Sequence, residues 1–310
     1  MGLTRRQLLA GVAALAAPAA AQFRAGNGPK LRTSPAVCLY SQLLIKVGYD
    51  ELGPVLRSLG VDGCDLSVQA GGHVKPELSA VDLMRAIEAI TGVGLDVPVI
   101  TTAYTNIADP TIRNVAGIAG EMGVPVFKAG HWKYNPGTEI EMRLAEVQRD
   151  LAGLAAMARA VNMSLALENL AGENVGAAIW DTNMLIRGTD PRTVGYDFDI
   201  GSATAEGGMG GWSVALRLAL PRLKMVTARD FVWSKDPGGS WRLTPCPLGE
   251  GMVDWPKFFG MLARARFAGP VSIQMDYQPK DELAAMRHDI DFIRKQVNTA
   301  YALGDGGRQG

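Results

Sequence analysis

A carboxylate and an amide stand together at the end of an apolar segment near the middle of the chain. Glu168 and Asn169 follow residues 164–167, which are typical of a strand, and a glycine-containing loop comes directly after them. An unpaired charge inside a dry sheet is strongly unfavourable, so the pattern predicts that both side chains lie at the carboxyl end of a strand. Such a Glu is a solvated loop residue, the partner of an arginine, or a general base or metal ligand.

The same arrangement recurs at the ends of other apolar segments. Polar side chains that end or follow a predicted strand are Gln69, His73, Tyr104, Asn106, Lys128, His131, Asp197, Asp199, Ser202, Glu206, Arg229, Asp230, Gln274 and Asp276. Carboxylates at three strand ends, Glu168, Asp199 and Asp276, suit one hard divalent cation such as Mg²⁺ or Mn²⁺. A metal there would polarise a carbonyl group or lower the pKa of a hydroxyl group.

Several of these residues also have a plain structural interpretation. His73 can cap a turn, and His131 can stack on the neighbouring Trp132 at the surface. Arg229 and Asp230 can form a local ion pair at the rim of the sheet. The sequence leaves both interpretations open for each of them.

Alternating strands and helices are expected to position these residues. Segments typical of strands are Ala36–Tyr40, Val61–Val68, Val97–Tyr104, Val124–Ala129, Met163–Glu168, Val194–Asp199, Leu223–Asp230 and Pro270–Asp276. Amphipathic helical patterns are Asp50–Leu59, Ala80–Ile90, Pro110–Met122, Glu139–Val161, Ala177–Arg187, Trp212–Leu220, Trp255–Ala265 and Asp281 to about 297. Eight such pairs predict an α/β fold, a (β/α)8 TIM barrel, with chemistry at its carboxyl end. A doubly wound sheet would show an early Gly-x-Gly-x-x-Gly turn, which this sequence lacks.

The first 21 residues predict a cleaved export signal. Arg5 and Arg6 precede an apolar run from Leu8 to Ala17 and a small-residue site at 19–21, the layout of a bacterial twin-arginine signal. The apolar run is too short for a membrane span, so we expect no stable membrane anchor. A periplasmic or extracellular location follows from this interpretation.

Charge and cysteine content limit the functional classes. Lys plus Arg and Asp plus Glu both number 31, so no net charge attracts nucleic acid or anionic lipid. Cys38, Cys64 and Cys246 lack the spacing of a zinc site or a disulfide framework. Two buried thiols are favoured over a bridge at the first two positions. We expect one barrel domain over residues 35–300 and a flexible tail at 301–310.

Four motifs at the predicted strand ends are shared with a known family. They are Leu-Glu-Asn at 167–169, Asp-Ile-Gly-Ser-Ala-Thr-Ala-Glu-Gly-Gly at 199–208, Arg-Asp-Phe-Val-Trp at 229–233 and Pro-Leu-Gly-Glu-Gly-Met-Val-Asp-Trp at 247–255. In these motifs the chain resembles the xylose-isomerase-like TIM barrel superfamily, which contains sugar phosphate isomerases and epimerases and, as distant kin, endonuclease IV. The likeness spans essentially the whole chain after the signal and is greatest to exported bacterial members described as sugar phosphate isomerase/epimerase-like.

The resemblance implies which positions would hold a metal. In the epimerases of this superfamily a divalent metal is held by a Glu on strand five, an Asp on strand six, a His on strand seven and a Glu on strand eight. Glu168 and Asp199 match the first two positions. The His position falls on Thr227, and the last Glu position falls on Gln274, with Asp276 two residues further on. The resemblance therefore implies Mg²⁺ or Mn²⁺ on Glu168, Asp199 and Asp276 rather than zinc in a His-rich shell.

The resemblance also implies a sugar isomerase/epimerase-like enzyme that abstracts a proton next to a carbonyl group of a small carbohydrate, with possible metal assistance. Glu168 would be the base. Because Gln274 cannot accept a proton, Asp276 or His73 would supply the second catalytic group. The residues expected to bind the substrate are Lys128, His131, Asn169, Ser202, Arg229 and Gln274.

Other functions stay open on the sequence alone. A lyase that acts on keto-glycosides would use the same base and the same enolate stabilisation. A metal-free carbohydrate-binding barrel without turnover is favoured by Ser202, Thr227 and Gln274, which replace ionisable residues, and by tryptophans near the predicted mouth loops. Endonuclease activity is disfavoured, since the chain has three histidines and no net charge. The sequence does not give the oligomeric state.

Overall fold

The computed structural model describes residues 32–305, so the predicted export signal lies outside the described residues. The strands are β1 (Val37–Tyr40), β2 (Gly63–Val68), β3 (Asp96–Thr102), β4 (Val126–Lys128), β5 (Ser164–Glu168), β6 (Val194–Asp199), β7 (Leu223–Ala228), β8 (Asp230–Lys235), β9 (Trp241–Cys246) and β10 (Val271–Ile273). Eight of them close a parallel barrel in the order β1-β10-β7-β6-β5-β4-β3-β2. This confirms the predicted (β/α)8 TIM barrel.

Helices surround the barrel and cover its strands. They are α1 (Tyr49–Ser58), α2 (Ser79–Thr91), α3 (Ile112–Glu121), α4 (Ile140–Ala160), α5 (Ile179–Ile186), α6 (Ile200–Ala219), α7 (Trp255–Arg264) and α8 (Glu282–Asp305). Short 3-10 turns lie at Ser41–Leu44, Pro76–Leu78 and Leu220–Arg222. None of the described helices is both long and apolar enough to cross a membrane.

Local sequence signals explain why α7 begins and packs where it does. The side chain of Asp254 accepts a hydrogen bond from the Lys257 backbone N–H, which caps the helix, and a proline occupies the first turn. The apolar stripe then buries Trp255, Phe258 and Phe259 against the barrel.

Two helices differ clearly from the sequence prediction. Helix α6 begins at Ile200 rather than Trp212, because Asp199 caps it and a kink at Gly208 joins two helical segments. Gly208 has a φ of 52°, which favours glycine, and the glycines around it hide the helical pattern because each lowers helix propensity. Helix α8 ends at Asp305, later than the predicted end near residue 297.

Strands β8 and β9 form an antiparallel hairpin outside the barrel that the sequence did not predict. The predicted strand Leu223–Asp230 ends at Ala228, and the chain leaves the barrel at the next residues. The predicted turn at 236–239 connects the two new strands, with a hydrogen bond from Gly239 N–H to the Asp236 carbonyl oxygen. Most of the hairpin is exposed, so its strands lack the apolar runs that identified the barrel strands.

The barrel interior changes from apolar to charged along the direction of the strands. Val99, Val126, Ala166 and Met225 form a small apolar cluster of their own. Residues two positions apart on a strand share a face. Lys128, Glu168 and Thr227 therefore follow that cluster on the inward face, towards the carboxyl end of the barrel, which we call the mouth.

The cysteine thiols give a direct test of the fold. Cys38 and Cys64 are buried and unbridged, and Cys246 is half-buried. Burial raises the pKa of the first two thiols well above the usual range. Burial and the charges of Asp230 and Glu250 raise the pKa of Cys246 to about 11.

We expect a thiol reagent to modify only Cys246 in the folded protein and all three thiols after denaturation without a reductant. The rate at Cys246 should rise about tenfold per pH unit from pH 8 to pH 10, since the thiolate is the reactive form. Cys246→Ser should abolish labelling of the folded protein. A single reactive thiol after denaturation would reveal a bridge and contradict the structure.

Candidate active site

Charged and amide side chains converge at the barrel mouth from five strands. Lys128 ends β4, Glu168 ends β5 and Asp199 ends β6, whereas Arg229 follows β7 and Gln274 follows β10. Together with their contact residues they form a group that we call the mouth cluster: Lys128, His131, Glu168, Asp197, Asp199, Arg229, Gln274 and Asp276. The structure thus brings together most of the site residues predicted from the sequence.

Glu168 contacts three other members of the mouth cluster through its two carboxylate oxygens. Its Oε1 accepts a hydrogen bond from Arg229 Nη1 at 2.9 Å. Its Oε2 lies 3.0 Å from Lys128 Nζ and 2.6 Å from His131 Nε2. Burial alone would raise the pKa of Glu168, but the charges of Lys128 and Arg229 and the hydrogen bond from His131 hold it well below its usual range. Glu168 is therefore an ionised carboxylate.

Lys128 neutralises a second buried carboxylate. Its Nζ lies 2.7 Å from Asp197 Oδ2, and the Thr227 hydroxyl donates to the same oxygen at 2.8 Å. Burial would lower the pKa of Lys128, but Asp197 and Glu168 raise it above the ordinary value. Burial raises the pKa of Asp197 to about 6, against the effect of Lys128. The ammonium group therefore stays charged in spite of its burial.

Arg229 connects carboxylates from three strands. Its Nη1 lies 2.9 Å from Glu168 Oε1 and 2.6 Å from Asp199 Oδ2, and its Nη2 donates to Gln274 Oε1. Its Nε lies 2.9 Å from Asp276 Oδ2, an ion-pair distance without hydrogen-bond geometry. Burial would lower the pKa of Arg229, but the three carboxylates raise it. One guanidinium thus holds the mouth cluster together.

Asn169 and Ser202, which were predicted to bind substrate, orient Asp199. The Asn169 amide donates to the Asp199 carbonyl oxygen at 3.0 Å and accepts from its N–H at 2.8 Å. The Ser202 hydroxyl donates to Asp199 Oδ2 at 2.8 Å, and the Ser202 N–H donates to Oδ1 at 3.0 Å. Burial raises the pKa of Asp199, with Arg229 opposing it.

His73, the predicted second catalytic group, has its contacts outside the mouth cluster. Its Nδ1 lies 3.1 Å from the Ser41 carbonyl oxygen, and its ring centroid lies 5.8 Å from that of Tyr49. The side chain is buried in the loop after β2. These contacts are those of a residue that orders a loop.

Arg229 and Asp230 do not form the local ion pair that the sequence allowed. The Arg229 side chain points into the mouth. The Asp230 carboxylate instead accepts hydrogen bonds from the backbone N–H groups of Gly249, Gly251 and Val253. Trp255 Nε1 also donates to Asp230, at 2.8 Å. Asp230 therefore fixes the loop before α7.

The carboxylates do not fit the divalent metal predicted on Glu168, Asp199 and Asp276. The guanidinium of Arg229 contacts all three, and Lys128 contacts the other oxygen of Glu168. Within residues 32–305, no group of three or more His, Cys, Asp or Glu side chains has an arrangement that could hold a metal ion. Two cations fill the space between the carboxylates, which the sequence did not predict, although inward-facing Lys and Arg at strand ends were a signal.

A cavity of about 310 Å³ opens between α5 and α6, and it reaches Asn169, which is hydrogen-bonded to the Asp199 backbone. Its lining includes Asn169, Trp180 and Glu206. The Trp180 side chain is half exposed, which leaves a face of the indole for a ligand. A mostly apolar lining with a few polar groups is typical of a small-molecule site.

Comparisons with known proteins agree with this architecture. A sequence model of the xylose isomerase-like TIM barrel family matches residues 54–296. No curated protein matches the chain. Similar solved structures include a xylose isomerase-like TIM barrel protein from Mycobacterium smegmatis in complex with magnesium, with a TM-score of 0.69 and 15% identity over 88% of this chain and 100% of that one.

Two further similar structures are sugar epimerases. An L-ribulose 3-epimerase has a TM-score of 0.67 and 17% identity over 89% of this chain and 99% of its own. The 3-keto-D-glucoside 4-epimerase from E. coli has a TM-score of 0.64 and 17% identity over 84% of this chain and 99% of its own. At these identities the likeness establishes the fold.

The ion network makes a prediction about stability. Lys128→Met leaves Glu168 and Asp197 without a common cation, so we expect the free energy of unfolding to fall by about 3–5 kcal/mol in a denaturant titration. Adding Asp197→Asn should recover part of the loss. The control Arg192→Met, which removes an exposed cation from Asp190, should leave the unfolding midpoint nearly unchanged. Equal effects of Lys128→Met and the control would contradict the network.

Proposed function

Because this chain belongs to the xylose isomerase-like TIM barrel family, we propose that it is a sugar isomerase/epimerase-like enzyme that transfers a proton next to a carbonyl group of a small carbohydrate. The observation that carries the proposal is the pair of His131 and Glu168 at the barrel mouth. The imidazole is 32% exposed, and its Nε2 lies 2.6 Å from a buried carboxylate. A general acid–base group needs this combination of access and fixed orientation.

His131 is better suited to proton transfer than Glu168, which the family resemblance implied as the base. Both Glu168 oxygens contact cationic or donor groups, and its low pKa makes it a weak base. An ionised carboxylate can only accept a hydrogen bond, so His131 Nε2 carries a proton and Nδ1 remains for the substrate. In the proposal His131 is the catalytic group and Glu168 is a positioning residue.

Asp276 supplies a second group on the opposite side of the mouth. In the closed order of eight strands, β4 and β10 are separated by three strands in either direction. His131 follows β4 and Asp276 follows β10, so the two side chains approach the mouth from opposite walls. The Asp276 side chain is 52% exposed, which gives a substrate access to it. Epimerisation requires that a group on one face of a carbon takes a proton while a protonated group on the opposite face delivers one. In the proposal His131 and Asp276 fill these two roles, and exchange with water restores their protons between turnovers.

Gln274 can bind the reacting carbonyl oxygen. Its Oε1 accepts from Arg229 Nη2, and because a guanidinium only donates, this contact fixes the amide orientation. Its Nε2 is buried and has no hydrogen-bond partner among the described residues. A substrate oxygen that gains negative charge would accept a hydrogen bond from this Nε2 and would lie beside the positive charge of Arg229.

A second candidate function is a carbohydrate-binding barrel without turnover. It is favoured by the ion pairs that occupy the Glu168 carboxylate. It is also favoured by the exposed indole of Trp180 in the cavity between α5 and α6, since aromatic faces stack on sugar rings. A lyase is a chemical variant of the first proposal, because elimination next to a keto group uses the same base and the same oxygen donors.

Deuterium exchange tests the proposed chemistry. Export, which the N-terminal pattern predicts, favours unphosphorylated sugars, and one structurally similar protein is a 3-keto-D-glucoside 4-epimerase. We expect wild-type protein in D₂O to incorporate deuterium next to the carbonyl of a ketose or 3-keto-glycoside, as measured by NMR. His131→Asn should slow exchange by about 10²–10⁴-fold. Asp276→Asn should retain exchange but lose epimerisation, because it leaves one face of the carbon without a group that can take or deliver a proton.

Arg192→Met serves as the control and should exchange at the wild-type rate. Thermal unfolding of each variant checks that it is folded. If the wild type exchanges deuterium and His131→Asn exchanges it at the same rate, His131 is not the catalytic group. Calorimetric binding of the same sugars without exchange would favour the carbohydrate-binding barrel, and release of an unsaturated ketone would identify a lyase.

A further inference from the structure

Two buried carboxylates on neighbouring strands direct one oxygen each to the same nitrogen atom. Arg229 Nη1 lies 2.9 Å from Glu168 Oε1 and 2.6 Å from Asp199 Oδ2. Both carboxylate side chains are at most 1% exposed. Buried anions that converge on one point require a positive charge there, because an unpaired buried carboxylate is strongly unfavourable.

The remaining carboxylate oxygens also have partners within the described part of the chain. Glu168 Oε2 contacts Lys128 and His131, and Asp199 Oδ1 accepts the Ser202 N–H. A divalent cation between these two carboxylates would have to displace Arg229. A guanidinium does not lose its proton in a protein, so this charge is present at every accessible pH.

The neighbouring side chains complete the same arrangement. Gln274 presents its Oε1 to the guanidinium, and Thr227 donates its hydroxyl proton to Asp197. Asp276 lies against Arg229 Nε on the side open to solvent. Gln274 and Asp276 therefore contact the guanidinium directly, whereas Thr227 contacts the ion pair of Asp197 and Lys128.

We propose that the Arg229 guanidinium is the resident cation of this site, in the position where a divalent ion would bridge Glu168 and Asp199, and that the native protein holds no divalent metal on these carboxylates. This inference concerns the cation and stands apart from the proposed sugar chemistry.

If Arg229 is the resident cation, the carboxylate ligands of a metal site are present in the chain and the guanidinium blocks them. Without the guanidinium, the carboxylates of Glu168, Asp199 and Asp276 face one shared space. Three carboxylates are hard oxygen donors of the kind that bind Mn²⁺ and Mg²⁺. Removing Arg229 should therefore create a divalent-cation site.

Mn²⁺ titration of chelator-treated protein tests this, with free Mn²⁺ followed by electron paramagnetic resonance and binding by calorimetry. We expect Arg229→Ala to bind one Mn²⁺ at least about tenfold more tightly than the wild type, a difference of about 1.4 kcal/mol in binding free energy. Arg229→Lys, the matched control, keeps a positive charge and should not gain this affinity. Adding Glu168→Gln to Arg229→Ala should abolish the gain.

Two results would overturn the proposal. One is a stoichiometric metal ion in the wild type that Glu168→Gln removes, and the other is a folded Arg229→Ala variant that gains no affinity for Mn²⁺. If circular dichroism shows that Arg229→Ala is unfolded, wild-type thermal unfolding decides. The midpoint should move by less than about 1 °C with either EDTA or Mn²⁺, and a larger shift would count against the proposal. These readouts measure metal binding, so they are independent of whether the chain acts on a sugar.

Discussion

The structure depends on neutralising the carboxylates buried at the barrel mouth. Glu168, Asp197 and Asp199 are almost fully buried, and the permanent charges among them come from Lys128 and Arg229. Together with the half-exposed Asp276, which also contacts Arg229, four carboxylates face two cations, so negative charge is in excess. Burial accordingly raises the pKa of Asp197 to about 6, whereas Glu168, which contacts both cations, remains ionised. Burial and the contacts with the two cations together set how readily each carboxylate takes up a proton.

This balance also fixes the register of the strands. In the β5–β6 pair Glu168 lies opposite Asp197, and in the β6–β7 pair Asp199 lies opposite Thr227. A slip of one residue would turn these side chains towards the apolar layer under the helices and bring apolar residues into the mouth. The charged layer therefore specifies the barrel as well as the site, although it is costly to bury. The apolar cluster beneath it keeps the ion pairs out of water, which strengthens them.

The sequence predicts the fold well because barrel strands are buried on both faces and read as continuous apolar runs. It misses the β8–β9 hairpin because exposed strands carry no such run, and the early start of α6 because glycines mask a helix that Asp199 caps. Within the site, strand-end positions identify the residues but not their partners. Arg229 meets Glu168 across 61 positions of the chain, and Lys128 meets Thr227 across 99. No local periodicity reports such contacts. Only the structure therefore shows a guanidinium between the carboxylates for which the sequence predicted a metal.

The dipeptide Arg229-Asp230 shows how the structural and chemical roles depend on each other. Its two side chains diverge, as adjacent residues of an extended chain do. The Asp230 carboxylate accepts hydrogen bonds from backbone N–H groups of the loop before α7. Glycine is needed at position 251 in this loop because a Cβ atom there would collide with the Asp230 carboxylate. The chain at residue 230 is thereby tied down on the side away from the mouth, directly beside Arg229. An arginine that must bridge the carboxylates of three strands needs an immobilised backbone, since a mobile arginine would lose side-chain entropy with every contact it makes. The buried Asp230 contacts are therefore part of what makes one guanidinium sufficient at the mouth.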